Sequence, residues 1–113
     1  MTARLPAKLE VSALIRQVSA EGGFATVIAS GEPEAGTIMV VIFTHGSPAR
    51  AYERMPTPEG TRAWQCARRE DKDAPGAFAQ WLERRQQQDP DLWIVELDIA
   101  QGERFIGLSP PFD

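Results

Sequence analysis

The chain has 113 residues, of which 42% are hydrophobic and 25% are charged, and its formal net charge is −4 at pH 7. These values are typical of one globular domain, residues 1–113, built around a single hydrophobic core. The negative charge argues against general adhesion to nucleic acid or to an anionic membrane.

The sequence also predicts the compartment of the protein. Its N-terminal segment lacks the apolar core of a signal peptide, and no stretch approaches the roughly 18 consecutive apolar residues of a membrane span. The single cysteine, Cys66, cannot form an internal disulfide bond. We therefore expect a cytoplasmic protein with no membrane association, and we predict no cofactor.

Two segments have the periodicity of helices. In residues 6–21 apolar side chains recur three, four and seven positions apart, with Pro6 suited to the first turn and the glycines at 22–23 suited to the end. A second helix is predicted to begin at Pro75 and to end before Pro90. The side chains expected to face a sheet are Val11, Leu14, Ile15, Val18, Phe78, Trp81 and Leu82.

Five segments are predicted to be strands: residues 24–29, 37–44, 49–55, 62–68 and 92–99. The loop between the first two strands, from Gly31 to Gly36, is typical of a hairpin turn, because Pro33 excludes a helix there. The second strand is apolar on both faces and must be covered on both. Either the two helices lie on opposite faces of the sheet or one face meets a second copy of the chain, and we favour the homodimer.

The order of these elements is α-β-β-β-β-α-β, which predicts a fold of the α+β class. We expect an N-terminal helix, a four-stranded antiparallel meander, a second helix and a C-terminal strand. Residues 91–113 contain one basic and five acidic side chains. We therefore expect the C-terminal segment to be a solvated acidic end.

Three segments carry a resemblance to a known family: the run Arg4-Leu-Pro, residues 11–36 (VSALIRQVSAEGGFATVIASGEPEAG) and residues 81–98 (WLERRQQQDPDLWIVELD). Together they resemble a family of small uncharacterised alphaproteobacterial proteins known only as a domain of unknown function. The resemblance spans nearly the whole chain, and its motifs are signatures of turns, helices and core. It implies a single-domain bacterial protein and no particular activity.

The feature that most favours ligand binding is a set of arginine and aromatic side chains on the third and fourth strands. Because side chains alternate along a strand, three residues of each strand share one face. If the turn pairs Arg54 with Arg62, then Tyr52 lies opposite Trp64, and the paired arginines favour an anion or a stacked base as partner. Alternatively, Tyr52 and Trp64 belong to the core, with arginine stems covering them. This predicted ligand-binding set, the Arg/aromatic stripe, comprises Arg50, Tyr52, Arg54, Arg62, Trp64 and Arg68.

Catalytic and metal chemistry have little support in the sequence. A structural zinc site needs about four Cys or His ligands, and the chain offers only His45 and Cys66. The element order resembles nucleases that place an acidic pair and a lysine around magnesium. Glu34 and Glu53 would be the acidic pair, but neither lysine of the chain lies on a predicted strand. We therefore predict no catalytic residue and no metal ligand.

These observations favour a small non-catalytic binding or protein-interaction module. Its candidate partners are a second copy of the chain, another protein or an anionic ligand. The alternative is a nucleic-acid-associated protein with a degenerate nuclease-like core. Exposure of the Arg/aromatic stripe would favour the alternative, because an exposed basic and aromatic surface can stack and neutralise a nucleic acid.

Overall fold

A computed structural model describes residues 5–44 and 46–108 of the chain. Within these ranges the chain forms two α-helices, five strands and a short 3-10 helix. In chain order the elements are α1 (Ala7–Ala20), β1 (Phe24–Ala29), β2 (Ile38–Phe43), β3 (Arg50–Pro56), β4 (Arg62–Arg69), α2 (Ala77–Gln88), β5 (Trp93–Asp98) and the 3-10 helix η1 (Gly102–Ile106).

The five strands form one mixed sheet in the order β1-β5-β2-β3-β4. The strand β5 pairs with β2 in parallel, whereas the β1–β5, β2–β3 and β3–β4 pairs are antiparallel. The predicted α+β class is confirmed. The predicted four-stranded antiparallel meander is wrong, because β5 lies between β1 and β2 and separates them.

The segment between β1 and β2 is a crossover loop and not the predicted hairpin turn. It passes over the start of β5, where the backbone N–H of Glu32 donates to the carbonyl oxygen of Asp91 over 3.1 Å. A Cβ atom at Gly31 or at Gly36 would overlap that same carbonyl oxygen. The two glycines therefore permit a close backbone approach, which explains their positions better than a turn does.

The same loop also caps the first helix. Pro6 precedes α1 and supplies no side-chain cap. Instead, the backbone N–H groups of Ala7 and Lys8 donate to the carbonyl oxygens of Glu34 and Pro33, over 3.0 and 2.8 Å. These bonds satisfy two donors that a helix leaves open at its N-terminus, and they fix α1 to the sheet beside β5.

The two helices lie on opposite faces of the sheet. We call these the α1 face, which η1 also covers, and the α2 face. The predicted inward residues are confirmed: Val11, Leu14, Val18 and Phe78 are buried, while Ile15, Trp81 and Leu82 are half-buried against the core. The strand β2 is therefore covered on both faces by the helices of its own chain, and its apolar pattern does not require a second copy.

The segment after β5 folds back onto the α1 face. It turns at Gln101, which has a left-handed backbone with φ of 55°, and at Gly102, where a Cβ atom would lie 2.8 Å from the Ile42 side chain. This geometry places the Glu103 side chain entirely inside the protein. The prediction of a solvated acidic end is thus wrong for this residue, since local charge patterning does not register a buried ionic partner elsewhere in the chain.

Candidate functional site

The pairing of β3 with β4 differs by two residues from the predicted register. Arg62 lies opposite Pro56, and Trp64 lies opposite Arg54, so Trp64 is not the cross-strand partner of Tyr52. The reason is a longer third strand, which extends to Pro56 before the turn begins. That turn is closed by a hydrogen bond of 2.8 Å from the N–H of Thr57 to the carbonyl oxygen of Thr61.

A β-bulge removes Arg68 from the Arg/aromatic stripe. Tyr52 pairs with Cys66, but the preceding residue of β3, Ala51, pairs with Arg68, so β4 contains one extra residue, Ala67. The extra residue rotates Arg68 to the α2 face, where its guanidinium lies 5.7 Å from the ring centroid of Trp81. The predicted placement of Arg68 beside the other stripe residues is therefore wrong.

Two further stripe residues, Arg50 and Tyr52, take part in a buried network with Glu103. The Arg50 guanidinium donates to both carboxylate oxygens of Glu103, from Nε over 2.7 Å and from Nη2 over 3.0 Å. The Tyr52 hydroxyl donates to Oε2 of Glu103 over 2.7 Å, and Tyr52 is only 2% exposed. We call these three residues the Glu103 network, and it ties η1 to β3.

The protonation of the network follows from this geometry. Burial alone would raise the pKa of Glu103, but the hydrogen bonds from Arg50 and Tyr52 outweigh it and lower that pKa below its ordinary value. Burial, together with the bond to the Glu103 carboxylate, raises the pKa of Tyr52 to about 12. At neutral pH the network therefore contains an ionised carboxylate, a guanidinium and a neutral phenol.

Arg54 and Trp64 form a second cluster, next to α1. The Arg54 guanidinium donates to both carboxylate oxygens of Glu10, over 3.2 and 2.6 Å, and its central carbon lies 4.8 Å from the Trp64 ring centroid. The last stripe residue, Arg62, is exposed and donates to the backbone carbonyl of Arg54. Two stripe arginines, Arg50 and Arg54, are thus each neutralised by a carboxylate that the sequence pattern did not indicate.

Between these clusters the α1 face has an open groove. The helix α1 has its main strand contacts with β1 and β5, and the groove lies beside it, where Arg54 of β3 and Trp64 of β4 line it. The groove has a volume of about 340 Å³ and is mostly apolar. Its lining residues are Leu5, Glu10, Val11, Ala13, Leu14, Gln17, Ile38, Val40, Arg54, Trp64, Phe105 and Ile106. Phe105 and Ile106 belong to η1, so the Glu103 network holds one wall of the groove in place.

The sequence did not indicate several residues of the groove and of the Glu103 network. Glu103 occurs in a segment that charge counting assigned to solvent, and Gln17 and Glu10 occur on the polar side of a helical pattern. One signal could have indicated η1: the apolar pair Phe105-Ile106 follows Glu103 directly in an otherwise acidic segment. Such a pair indicates a return of the chain to the core.

The nuclease-like acidic pair is not assembled. Glu53 is on the α2 face, where its Oε1 atom lies 2.5 Å from Nη1 of Arg85, whereas Glu34 is in the exposed loop that caps α1. In the part of the chain that the structure describes, no group of three or more His, Cys, Asp or Glu residues could hold a metal ion. Cys66 is half-buried against the α1-face core, and His45 lies outside the described residues.

Neither α1 nor α2, the α-helices of residues 5–44 and 46–108, is long and apolar enough to cross a membrane.

The fold and the groove define a class of small α+β proteins in which a five-stranded mixed sheet has one helix on each face. The chain belongs to the DUF1491 family of proteins of unknown function, whose family model matches residues 5–107. A comparison with the curated proteins finds no match.

Several solved structures are similar to this one. The crystal structure of a DUF1491 family protein from Caulobacter crescentus CB15 has 30% sequence identity and a TM-score of 0.78, and the match covers 97% of this chain and 100% of that one. An NMR structure of a DUF1491 family protein from the same organism has 29% identity and a TM-score of 0.78, covering 94% and 96%. The solution structure of protein Atu0922 from A. tumefaciens has 29% identity and a TM-score of 0.75, covering 98% and 100%.

Proposed function

We propose that this protein is a small, non-catalytic binding module of the cytoplasm that holds an apolar ligand with one anionic group in the groove of the α1 face. The observation that carries the proposal is the groove itself. Its volume of about 340 Å³ falls at the lower end of the range for small-molecule sites, and it combines an apolar lining with a single charged cluster.

The apolar part of such a ligand would contact the aromatic walls. Trp64 on β4 and Phe105 in η1 both line the groove, together with the buried apolar side chains of α1 and β2. Burying apolar area against such walls contributes about 25 cal/mol per Å². This is the main source of affinity that the groove offers.

The charged end of the ligand would replace Glu10 on Arg54. The Arg54 guanidinium is held over the Trp64 ring, so its planar donor fork is preorganised for a carboxylate or sulfonate. Its present pairing with Glu10 is partly exposed, with side-chain exposures of 20% for Arg54 and 27% for Glu10. A partly exposed ion pair contributes little stability, about 0 to 1 kcal/mol, so the exchange of partners costs little.

The proposal of a non-catalytic module rests on the position of the groups with shifted pKa values. The groups with shifted pKa values, Glu103, Tyr52 and Arg50, donate and accept among themselves behind η1. None of these three residues lines the groove, and their mutual bonds hold its η1 wall in position.

The test uses anilinonaphthalene sulfonate, a fluorescent apolar anion, as the probe. We expect saturable 1:1 binding to the full chain, and about tenfold weaker binding to Arg54→Met, which corresponds to about 1.4 kcal/mol. The matched control is Arg85→Met, because Arg85 on the α2 face also pairs with a glutamate and lies 5.6 Å from a tryptophan ring centroid. Equal losses in both variants, or no saturation in the parent, would contradict the proposal.

The alternative, binding of nucleic acid, has less support. Arg50 and Arg54 are paired with carboxylates, Tyr52 is buried, and one face of the Trp64 ring is covered by Arg54. A stacked base needs a free aromatic face and uncompensated cations. We expect no binding of a fluorescent single-stranded oligonucleotide at 150 mM salt. Salt-dependent binding that Arg54→Met and Trp64→Ala abolish would favour the alternative.

A further inference from the structure

The two edges of the sheet differ in how they are protected. The edge strand β1 has the sequence FATVIA, with no charged residue and no proline, and Phe24 is 72% exposed. Val27 and Ile28 of the same strand are also exposed. The other edge strand, β4, contains three arginines and a bulge, which are devices that prevent edge-to-edge pairing. Within the described residues, β1 has a strand on only one side. Its pairing with β5 also shifts register, between Val27 and Ala29, but unlike β4 it carries no charged side chain.

The α2 face beside β1 presents aromatic rings and carboxylates together. Asp98 of β5 lies between Phe24 of β1 and Phe43 of β2 in the strand register, and the exposure of Phe43 is 39%. Glu96 lies two residues before Asp98 on the same face, opposite Thr26. Among the described residues, neither carboxylate has an ion-pair partner.

These features have a combined chemical preference. The open backbone edge of β1 offers hydrogen bonds to an extended segment. On the α2 face, the ring of Phe24 can contact a cation, and Asp98 and Glu96 can pair with it. An amine or guanidinium on a side chain of the added strand would pass over Phe24 toward these carboxylates. The strand β5 lies two strand spacings, about 10 Å, from the added strand, a distance that a long basic side chain and a carboxylate side chain can bridge together.

We propose that β1 binds an extended segment of another protein as a sixth strand, and that this segment has lysine or arginine at alternate positions. A second copy of the chain fits this edge less well. Its own β1 would bring no basic residue, and pairing of two β1 strands would place both Glu96–Asp98 pairs on one face with no cation between them. The proposal is independent of the groove, which lies on the opposite face.

The test is a titration of the isotope-labelled full chain with a seven-residue peptide in which lysine alternates with valine and threonine. We expect chemical shift changes in the amides of residues 24–29 and slower hydrogen exchange there. A matched peptide with glutamate in place of lysine should not bind, and a lysine peptide with a central proline should bind much more weakly. Equal binding of all three peptides, or shifts confined to β4, would overturn the proposal.

Variants of the chain separate the contributions. The double variant Glu96→Gln/Asp98→Asn should bind the lysine peptide about three- to tenfold more weakly, as expected for two exposed ion pairs. Thr26→Lys, which places a cation on the edge, should abolish binding. The control Gln65→Lys, an exposed position on β4, should leave binding unchanged. Loss of the same size in this control would overturn the proposal.

Sedimentation of the chain without peptide tests the other candidate partner of the β1 edge, a second copy of the chain. At micromolar concentration we expect a monomer. A dimer that Thr26→Lys dissociates, while Gln65→Lys does not, would assign the β1 edge to a second copy and would overturn the proposal.

Discussion

The two faces of the sheet are stabilised by different physics. The α2 face is mainly apolar packing: Phe78 and its neighbours on α2 cover a cluster of buried side chains on β2, β3 and β5. Its ion pair, Arg85 with Glu53, keeps side-chain exposures of 27% and 12%. The α1 face combines a similar apolar cluster with the Glu103 network, in which a completely buried carboxylate accepts bonds from Arg50 and Tyr52. The face with the buried charge is also the face with the groove. An apolar cluster tolerates many hydrophobic substitutions, whereas removal of one partner of a buried ion pair strongly destabilises the protein. The η1 wall of the groove therefore depends on Glu103 and Arg50 individually.

The largest effect is expected for Glu103→Gln. The variant keeps the shape of the side chain but leaves the Arg50 guanidinium buried without its counter-charge, which should cost about 3 to 5 kcal/mol at neutral pH. Urea denaturation of the parent and of the variant measures this loss as a difference in the free energy of unfolding. A loss below 1 kcal/mol would mean that the two faces do not differ in the way described.

Leu14→Ala should cost about 2 to 5 kcal/mol, the range for a buried leucine. Leu14 lies in the apolar part of the α1 face, and Phe78→Ala is its counterpart on the α2 face. Both variants should lose stability by amounts that do not depend on pH, because neither removes a charge. A urea midpoint for Leu14→Ala equal to that of the parent would contradict the packing of α1.

Tyr52→Phe should cost about 1.5 to 3 kcal/mol, because it removes a hydrogen bond to an ionised group. Its pH dependence has a definite sign. Folding raises the pKa of Tyr52 to about 12, above its ordinary value of about 10, so the stability contributed by the phenol is present below pH 10 and is lost as the pH rises toward 12. The difference in unfolding free energy between the parent and Tyr52→Phe should therefore be smaller at pH 11 than at pH 9, as measured by urea unfolding.

The smallest effect is expected on the α2 face, for Arg85→Met. Its ion pair with Glu53 is less buried than the Arg50–Glu103 pair, with side-chain exposures of 27% and 12% against 11% and 0%, so the loss should be smaller, about 1 to 2 kcal/mol. Thermal unfolding of this variant beside Glu103→Gln compares the two ion pairs directly. Equal losses would remove the distinction between the faces.

The sequence was sufficient for the elements and for the helix packing. Periodicity predicted both helices and five strands close to their observed ends, because burial of one face imposes a pattern that neighbouring residues share. It also predicted that Leu14 and Phe78 point inward. These are local properties of the chain.

The sequence was insufficient for the pairings between distant segments. The β5 strand inserts beside β1 about 70 residues away along the chain, and a local hairpin is the simpler expectation for β1 and β2. One extra residue in β4, Ala67, was enough to turn Arg68 to the other face. The partner of a buried acid is equally non-local, because Glu103 and Arg50 are 53 positions apart.

The most direct test of the Glu103 network is the difference in unfolding free energy between the parent and Glu103→Gln, measured in urea from pH 7 to pH 3. Because folding lowers the pKa of Glu103, its contribution is present above the unfolded-state value of about 4.3 and is lost as the pH falls below it. We predict a difference that is constant from pH 7 to about pH 5 and then narrows by up to about 1.4 kcal/mol per pH unit. A difference that stays constant down to pH 3 would contradict an ionised, buried Glu103 as the anchor of the groove wall.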